Sequence, residues 1–208
     1  DKLPKIKFLD RYRKRRSPQK AVRDHLIIAL CFLLMIVGVG YFMTSKNTPL
    51  PIKTETVQSP YIKSGDSELL NNIYARLDTS YKNKDEEDEC QLVAAYFVCD
   101  YYTFVDKKKN EIGGVDYMYP EMVENFSQYA QTSFYSYKNQ YPELEVLKYN
   151  IISYSPSKVT ISGLEDNDYY NVLISLTFNE EIEGFNSTVN VTVVKVNDRY
   201  YVCGLDNA

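Results

Sequence analysis

The strongest constraint on this chain is a run of eighteen uncharged residues at 26–43, LIIALCFLLMIVGVGYFM. At 1.5 Å per residue, a helix of this length approaches the roughly 30 Å thickness of a bilayer's hydrocarbon core. We therefore expect a single transmembrane helix over 26–43. The alternative is a cleaved signal peptide, which the sequence favours less because the apolar part of such a peptide usually covers about 7–15 residues.

The charges on the two sides of this run differ in sign. Residues 1–25 hold ten Lys or Arg and three Asp, whereas 26–208 hold fourteen basic and twenty-five acidic residues. Positively charged flanks remain on the cytoplasmic side, so the sequence predicts a single-pass protein of the cell membrane with a cytoplasmic tail over 1–25 and an extracytoplasmic C-terminal part. The flanking basic residues are Lys14, Arg15, Arg16, Lys20 and Arg23.

Residues 44–65 separate the apolar run from the rest of the chain. They contain three prolines and many polar residues, and they show no periodic apolar face. This composition predicts a linker that buries nothing. We expect the remaining residues, 66–208, to form one extracytoplasmic domain.

The domain changes its hydrophobic period once. Apolar residues first recur at three and four positions, which predicts a helix in 67–83, a second in 90–105 and a third from Pro120 to Tyr141. Alternating patterns then predict strands over 146–154, 159–162, 169–178, 188–196 and 200–203. Helices followed by strands indicate an α+β fold, with a three-helix segment packed on a curved antiparallel sheet of four to five strands.

The composition of the domain excludes several kinds of chemistry. The single histidine, His25, precedes the apolar run, so 66–208 has no histidine base and no histidine-dependent triad. Asp100 is the only acid within the predicted second helix and the candidate for a carboxylate base, but it lies one position from the core-facing Cys99 and is expected toward the boundary or solvent. The acidic run 85–89 lacks the alternating spacing of a calcium loop and is interpreted as a solvated helix start. We predict no enzyme activity, no metal and no cofactor.

Three cysteines lie in the domain: Cys90, Cys99 and Cys203. An odd number does not make a closed disulfide framework. Two interpretations remain open. Cys99 and Cys203 form a disulfide between a core helix and the last strand, or they are small buried apolar residues.

Tyrosine is unusually frequent, with twenty Tyr against nine Phe and no Trp. Most tyrosines on helical stripes, including Tyr137, are assigned to the core. Tyr119, Tyr129 and Tyr135 fall off the stripe of the third helix and lie near Glu121. We predict that these four residues form an exposed interaction surface. The alternative is a third helix that is buried on two sides.

Two stretches carry a resemblance to known families. The closing stretch VTVVKVNDRYYVCGL resembles the last two strands of cone-shaped nuclear-transport-factor-like domains. The stretch LVAAYFVCDYYTFVDKKKNEIGGVDYMYPEMVENFSQY, with a helix start at Pro120 and Glu121, is similar in layout to the helical half of a membrane-protein family. That family is the inner-membrane assembly component of type IV secretion and conjugation machines, called VirB-eight-like or, in Gram-positive elements, TcpC-type.

The resemblance implies a non-catalytic scaffold that acts through protein–protein contacts outside the membrane. It implies other membrane proteins of the same envelope machine as partners, together with homo-oligomers. An acidic domain argues against direct nucleic-acid binding by the folded part. The alternative function is a membrane-tethered domain that binds a small lipid or cell-wall ligand in its cone cavity.

Overall fold

The computed structural model describes residues 58–207, in which helices come first and a β-sheet follows. The α-helices are α1 (Glu68–Asn83), α2 (Glu86–Tyr101) and α3 (Val123–Thr132). Short 3₁₀ helices cover Val115–Tyr117, Pro120–Met122 and Phe134–Asn139. The strands are β1 (Val146–Pro156), β2 (Tyr169–Phe178), β3 (Thr188–Val196) and β4 (Arg199–Asn207). This order confirms the α+β prediction.

The four strands form one antiparallel sheet in the order β1-β2-β3-β4. A short parallel bridge between Met118 and Val202 covers part of the β4 edge. The strand predicted at 159–162 is wrong. These residues belong to the β1–β2 connection, in which Ile161 and Leu164 pack against a small buried cluster of Tyr169, Val194 and Cys203. The apolar character of Ile161 reflects this packing and not strand pairing.

Helix α2 is the centre of the domain. Every residue from Glu89 to Tyr101 is buried except Gln91, which is half-buried. The helix contacts α1 on one side and all four strands on the other. A helix with one apolar face was expected, but α2 is enclosed on all sides, and a fully enclosed helix shows little amphipathic pattern.

The two helix starts follow from capping chemistry. The Ser67 side chain accepts a hydrogen bond from the Leu70 N–H at 3.2 Å, and the Asp85 side chain accepts one from the Asp88 N–H at 3.2 Å. These are the bonds that N-cap residues make to otherwise unpaired amides. The predicted helix start at 85–89 is therefore confirmed, although Glu89 itself is buried and not solvated.

The third helix is shorter than predicted. Helix α3 ends at Thr132, the backbone of Ser133 leaves the helical region at φ −104° and ψ −109°, and a 3₁₀ helix follows. Phe134 and Tyr135 are adjacent in sequence and both buried. Adjacent residues of a continuous α-helix lie about 100° apart, so the break helps both rings to reach the core.

The predicted linker contains a buried residue. Tyr61 has only 3% of its surface exposed and belongs to the main core. The prediction that 44–65 buries nothing is therefore wrong at this position, and the packed part of the domain begins before residue 66.

Within the described part of the chain, no helix combines the length and the hydropathy that a membrane crossing requires. The predicted cytoplasmic tail over 1–25 and the predicted span over 26–43 lie outside residues 58–207. So do most of the residues assigned to the linker.

Replacement of Gly114 by alanine should destabilise the domain more than the same change at Gly163. Both glycines have a positive φ, 78° and 88°, which costs an L-residue about 1–2 kcal/mol. A Cβ at Gly114 would also lie 2.7 Å from the Phe97 carbonyl oxygen, whereas one at Gly163 meets no atom within 4 Å. We expect Gly114→Ala to cost about 2–5 kcal/mol in urea unfolding. Equal losses for both variants would contradict this packing.

Candidate functional site

The predicted interaction residues do not share one environment. Tyr129 is 65% exposed, Glu121 is exposed, and Tyr119 is half-buried with its ring edge-on to Tyr201 at 5.9 Å. These three residues agree with an accessible surface around α3.

Tyr135 does not belong to this surface, and its expected exposure is wrong. It is 6% exposed, its hydroxyl accepts a hydrogen bond from the Gly113 N–H at 2.7 Å, and it donates one to the Tyr101 carbonyl at 3.0 Å. The polar end of the side chain is thus satisfied inside the protein, as buried tyrosines require. The opposite error occurs at Tyr137, which was assigned to the core but is 45% exposed.

A cavity of about 400 Å³ opens beside α3. Its walls come from the C-terminal end of α2, the region around the Ser133 break, the β2–β3 connection and the end of β4. The exposed rings of Tyr129 and Tyr137 also line it. The volume lies in the range of small-molecule pockets, about 300–1,000 Å³.

Aromatic rings pack against one another along this cavity. The ring of Tyr102 lies 4.6 Å from Phe134 and 5.2 Å from Phe185, measured between centroids. Tyr102 is 97% buried, and its hydroxyl makes no hydrogen bond to any described residue. The hydroxyl oxygen is not sealed from solvent, so it is accessible from the cavity.

The charged residues along the cavity are all acidic. Glu183 on the β2–β3 connection and Asp206 at the end of β4 line it, and both are exposed. None of the described residues that line it is Lys, Arg or His. Sequence reasoning missed this site, since its members come from four separate segments and no local motif joins them.

A second polar centre surrounds Asp100, which was expected at the boundary or in solvent but is 3% exposed. Its carboxylate lies 2.7 Å from the Lys107 ammonium, and both side chains are buried. It also accepts hydrogen bonds from the Gly114 N–H at 2.7 Å and the Ser64 hydroxyl at 3.0 Å. These three partners give Asp100 an anchoring role.

Tyrosine hydroxyls hold the segment 61–65, which we call the strap. The Tyr96 hydroxyl accepts hydrogen bonds from the Ser64 and Gly65 amides at 3.0 and 3.2 Å. The Tyr117 hydroxyl donates to the Ile62 carbonyl at 2.8 Å. Several tyrosines therefore form hydrogen bonds to backbone groups inside the fold. The sequence pattern does not reveal this role.

Glu89 lies at the other end of the strap. The Tyr61 hydroxyl donates to the Glu89 carboxylate at 2.5 Å and accepts a bond from the Tyr200 N–H at 3.1 Å. Burial raises the pKa of Glu89, while the hydrogen bond from Tyr61 and the charge of Lys195 oppose that rise. The Arg199 guanidinium lies 5.2 Å from the centre of the Tyr61 ring, a cation–π arrangement.

Within residues 58–207, Cys90, Cys99 and Cys203 are buried free thiols, so the disulfide considered between Cys99 and Cys203 is not formed there. Burial raises the pKa of all three thiols, that of Cys203 to about 12. The Cys203 thiol donates to the Thr192 carbonyl at 3.4 Å. These properties are those of small core residues.

Residues 58–207 contain no group of three or more His, Cys, Asp or Glu side chains placed to hold a metal ion. No family model, curated protein or solved structure matches the chain. The site therefore has to be interpreted from its own geometry.

Replacement of Glu89 by glutamine should change the pH dependence of stability. The folded-state pKa of Glu89 lies above the unfolded value of about 4.3. Its contribution is therefore fully present below the unfolded pKa and is lost as the pH rises through the folded pKa. We expect the stability difference between wild type and Glu89→Gln to shift in favour of the variant as the pH rises from 4 to 7 in urea unfolding.

Glu86→Gln is the matched control for this experiment. The Lys195 ammonium, 2.9 Å away, lowers the pKa of Glu86, so its contribution is present at neutral pH and is lost as the pH falls. The two variants should thus change in opposite directions across the same pH range. A shift at Glu89 in the same direction as at Glu86 would show that the hydrogen bond from Tyr61 outweighs burial.

Proposed function

We propose that this chain is a non-catalytic, membrane-anchored scaffold of a type IV secretion or conjugation machine. In this proposal the basic residues at 1–25 stay in the cytoplasm and the apolar run 26–43 spans the membrane. The α+β domain then supplies a protein–protein surface outside the membrane. Its partners are other membrane proteins of the same machine, together with further copies of this chain.

The observation that carries the proposal is the exposed ring of Tyr129 on a helix that is already packed. On α3, Ala130 is fully buried, and Val123 and Phe126 pack against the main core. The apolar face of the helix is therefore occupied, and Tyr129 adds aromatic surface that folding does not use. Aromatic residues of this kind are enriched where protein partners dock.

The arrangement of the domain gives further support to the proposal. A sheet of four antiparallel strands follows the helices, and bulges in β1 and at the β3–β4 pairing bend such sheets. We propose that this is the cone-shaped nuclear-transport-factor-like fold that the closing stretch resembles. The carboxylate of Asp100, the acid at which the sequence would place a base, is engaged by Lys107, Gly114 and Ser64. This engagement favours a structural role over a catalytic one.

Replacement of Tyr129 by serine should weaken self-association of the full chain without lowering its melting temperature. An interface hot spot contributes about 1–4 kcal/mol, so the dissociation constant should rise roughly 5- to 1,000-fold. Light scattering in dodecyl maltoside, with thermal unfolding of the same samples, measures both quantities.

Two matched variants accompany this measurement. Ile152 on β1 is 51% exposed, so Ile152→Ser removes a comparable exposed apolar side chain away from α3 and should leave association unchanged. Tyr135→Ser should lower the melting temperature because that residue is buried. Unchanged association in Tyr129→Ser, with a loss in Ile152→Ser, would place the interface on β1 and refute the surface proposed here.

A further inference from the structure

The cavity beside α3 has a composition that selects for charge. Its described lining includes Glu183 and Asp206 and no basic side chain. Two further exposed acids, Glu180 and Glu181, stand on the same β2–β3 connection. A cleft lined by negatively charged carboxylates raises the local concentration of cations and repels anions. The cavity therefore disfavours phosphate, carboxylate and other anionic ligands.

The aromatic part of the cavity suits the same kind of ligand. Tyr101, Tyr102, Tyr129 and Tyr137 all line it. The negative face of a tyrosine ring attracts a cation within about 6 Å of its centre, and the attraction is strongest where the cation loses water. Rings on the wall and acids at two loop ends thus provide the two components of a cation-binding pocket.

Tyr102 shows that the cavity has unused binding capacity. A hydroxyl that bonds to no protein group and opens onto a cavity has both its proton and its lone pairs free for a ligand there. The Tyr102 hydroxyl has no partner among residues 58–207 although the residue is 97% buried. Burial also raises the pKa of Tyr102, so the phenol stays neutral and retains both its proton and its acceptor lone pairs.

We propose that this cavity binds a small organic cation, an ammonium or quaternary ammonium group on a compact polar body. The rings of Tyr129 and Tyr137 contact the cation, Glu183 and Asp206 neutralise its charge, and the Tyr102 hydroxyl bonds to a polar group of the ligand. The site shares the ring of Tyr129 with the proposed association surface, but it does not require association of the chain. The volume of about 400 Å³ accommodates a ligand of this size.

A comparison of two isosteric probes tests the proposal on the unmodified chain. Choline carries a trimethylammonium group, and 3,3-dimethylbutan-1-ol replaces the nitrogen by carbon and leaves the shape and the hydroxyl unchanged. Each probe gives a nine-proton methyl signal that ligand-observed NMR can follow with the full chain in dodecyl maltoside. Protein-free micelles correct for partitioning. We expect choline to bind roughly 3- to 30-fold more tightly than its neutral isostere.

Variants then locate the site. Asp206→Asn and Glu183→Gln should each weaken choline binding and leave the isostere unaffected. Asp166→Asn changes another exposed acid, on the β1–β2 connection and outside the cavity lining, so this variant should bind choline as wild type does. Tyr102→Phe, which preserves the ring, should weaken binding of both probes about 2- to 12-fold because both carry the hydroxyl. Tyr129 is left unchanged throughout, so the association surface stays intact.

Three results would overturn the proposal. Equal affinity for the two probes would show that the cavity recognises apolar shape, and absence of choline binding up to tens of millimolar would remove the site. Binding of the neutral sugar N-acetylglucosamine in place of choline would assign the cavity to carbohydrate. None of these outcomes alters the association measured for Tyr129→Ser, so the two proposals fail separately.

Discussion

The described fold depends on the buried carboxylate of Asp100. Because the C-terminal part of α2 is enclosed by the fold, a charge at Asp100 has to be paired, and the Lys107 ammonium at 2.7 Å supplies the pairing. Removal of one member of such a buried pair generally costs about 3–5 kcal/mol. The same carboxylate binds the Gly114 amide and the Ser64 hydroxyl. One residue therefore joins the central helix to the segments that precede and follow it.

The contacts of Asp100 affect the segments on both sides of α2. Before α2, the carboxylate holds the strap at Ser64, so that the tether to the proposed membrane span ends near Tyr61 and not at residue 65. After Asp100, it fixes the end of α2, where Tyr101 and Tyr102 form part of the proposed cation pocket. The strap and one wall of the cavity thus rest on the same helix.

The order of helices and strands could be predicted from the sequence because the spacing of apolar residues within one element is a local property. The spacing of apolar residues shows which face of a helix or strand packs against the core. Examples are the stripe of Val123, Phe126 and Ala130 on α3 and the alternation of apolar and polar residues in β3. The break at Ser133 was not accessible, because it depends on how Phe134 and Tyr135 meet rings from other parts of the chain. The strand prediction for 159–162 failed for a related reason. Ile161 is apolar because it packs against the outer face of the sheet, and it does not pair as a strand.

The candidate sites were less predictable than the fold. Tyr129 was identified correctly as exposed, because an aromatic residue off the stripe of its own helix points away from the core. Tyr135 satisfies the same rule and is buried, since its hydroxyl bonds to Gly113 and Tyr101. Glu89 looked like one more acid of a helix start, and only Tyr61, distant in sequence, removes it from solvent. Burial of a polar residue is decided by partners that a local pattern does not contain.

Hydrogen exchange of the Ser64, Gly65 and Gly114 amides in the full chain tests the role of α2 most directly. The first two donate to the Tyr96 hydroxyl and the third to Asp100. If α2 anchors both segments, all three amides should exchange far more slowly than unstructured peptide, and Asp100→Asn should accelerate Gly114 while amides inside the sheet stay protected. Exchange of all three at the rate of an unstructured chain would contradict the account, because the strap and the Gly114 turn would then not be held by the central helix.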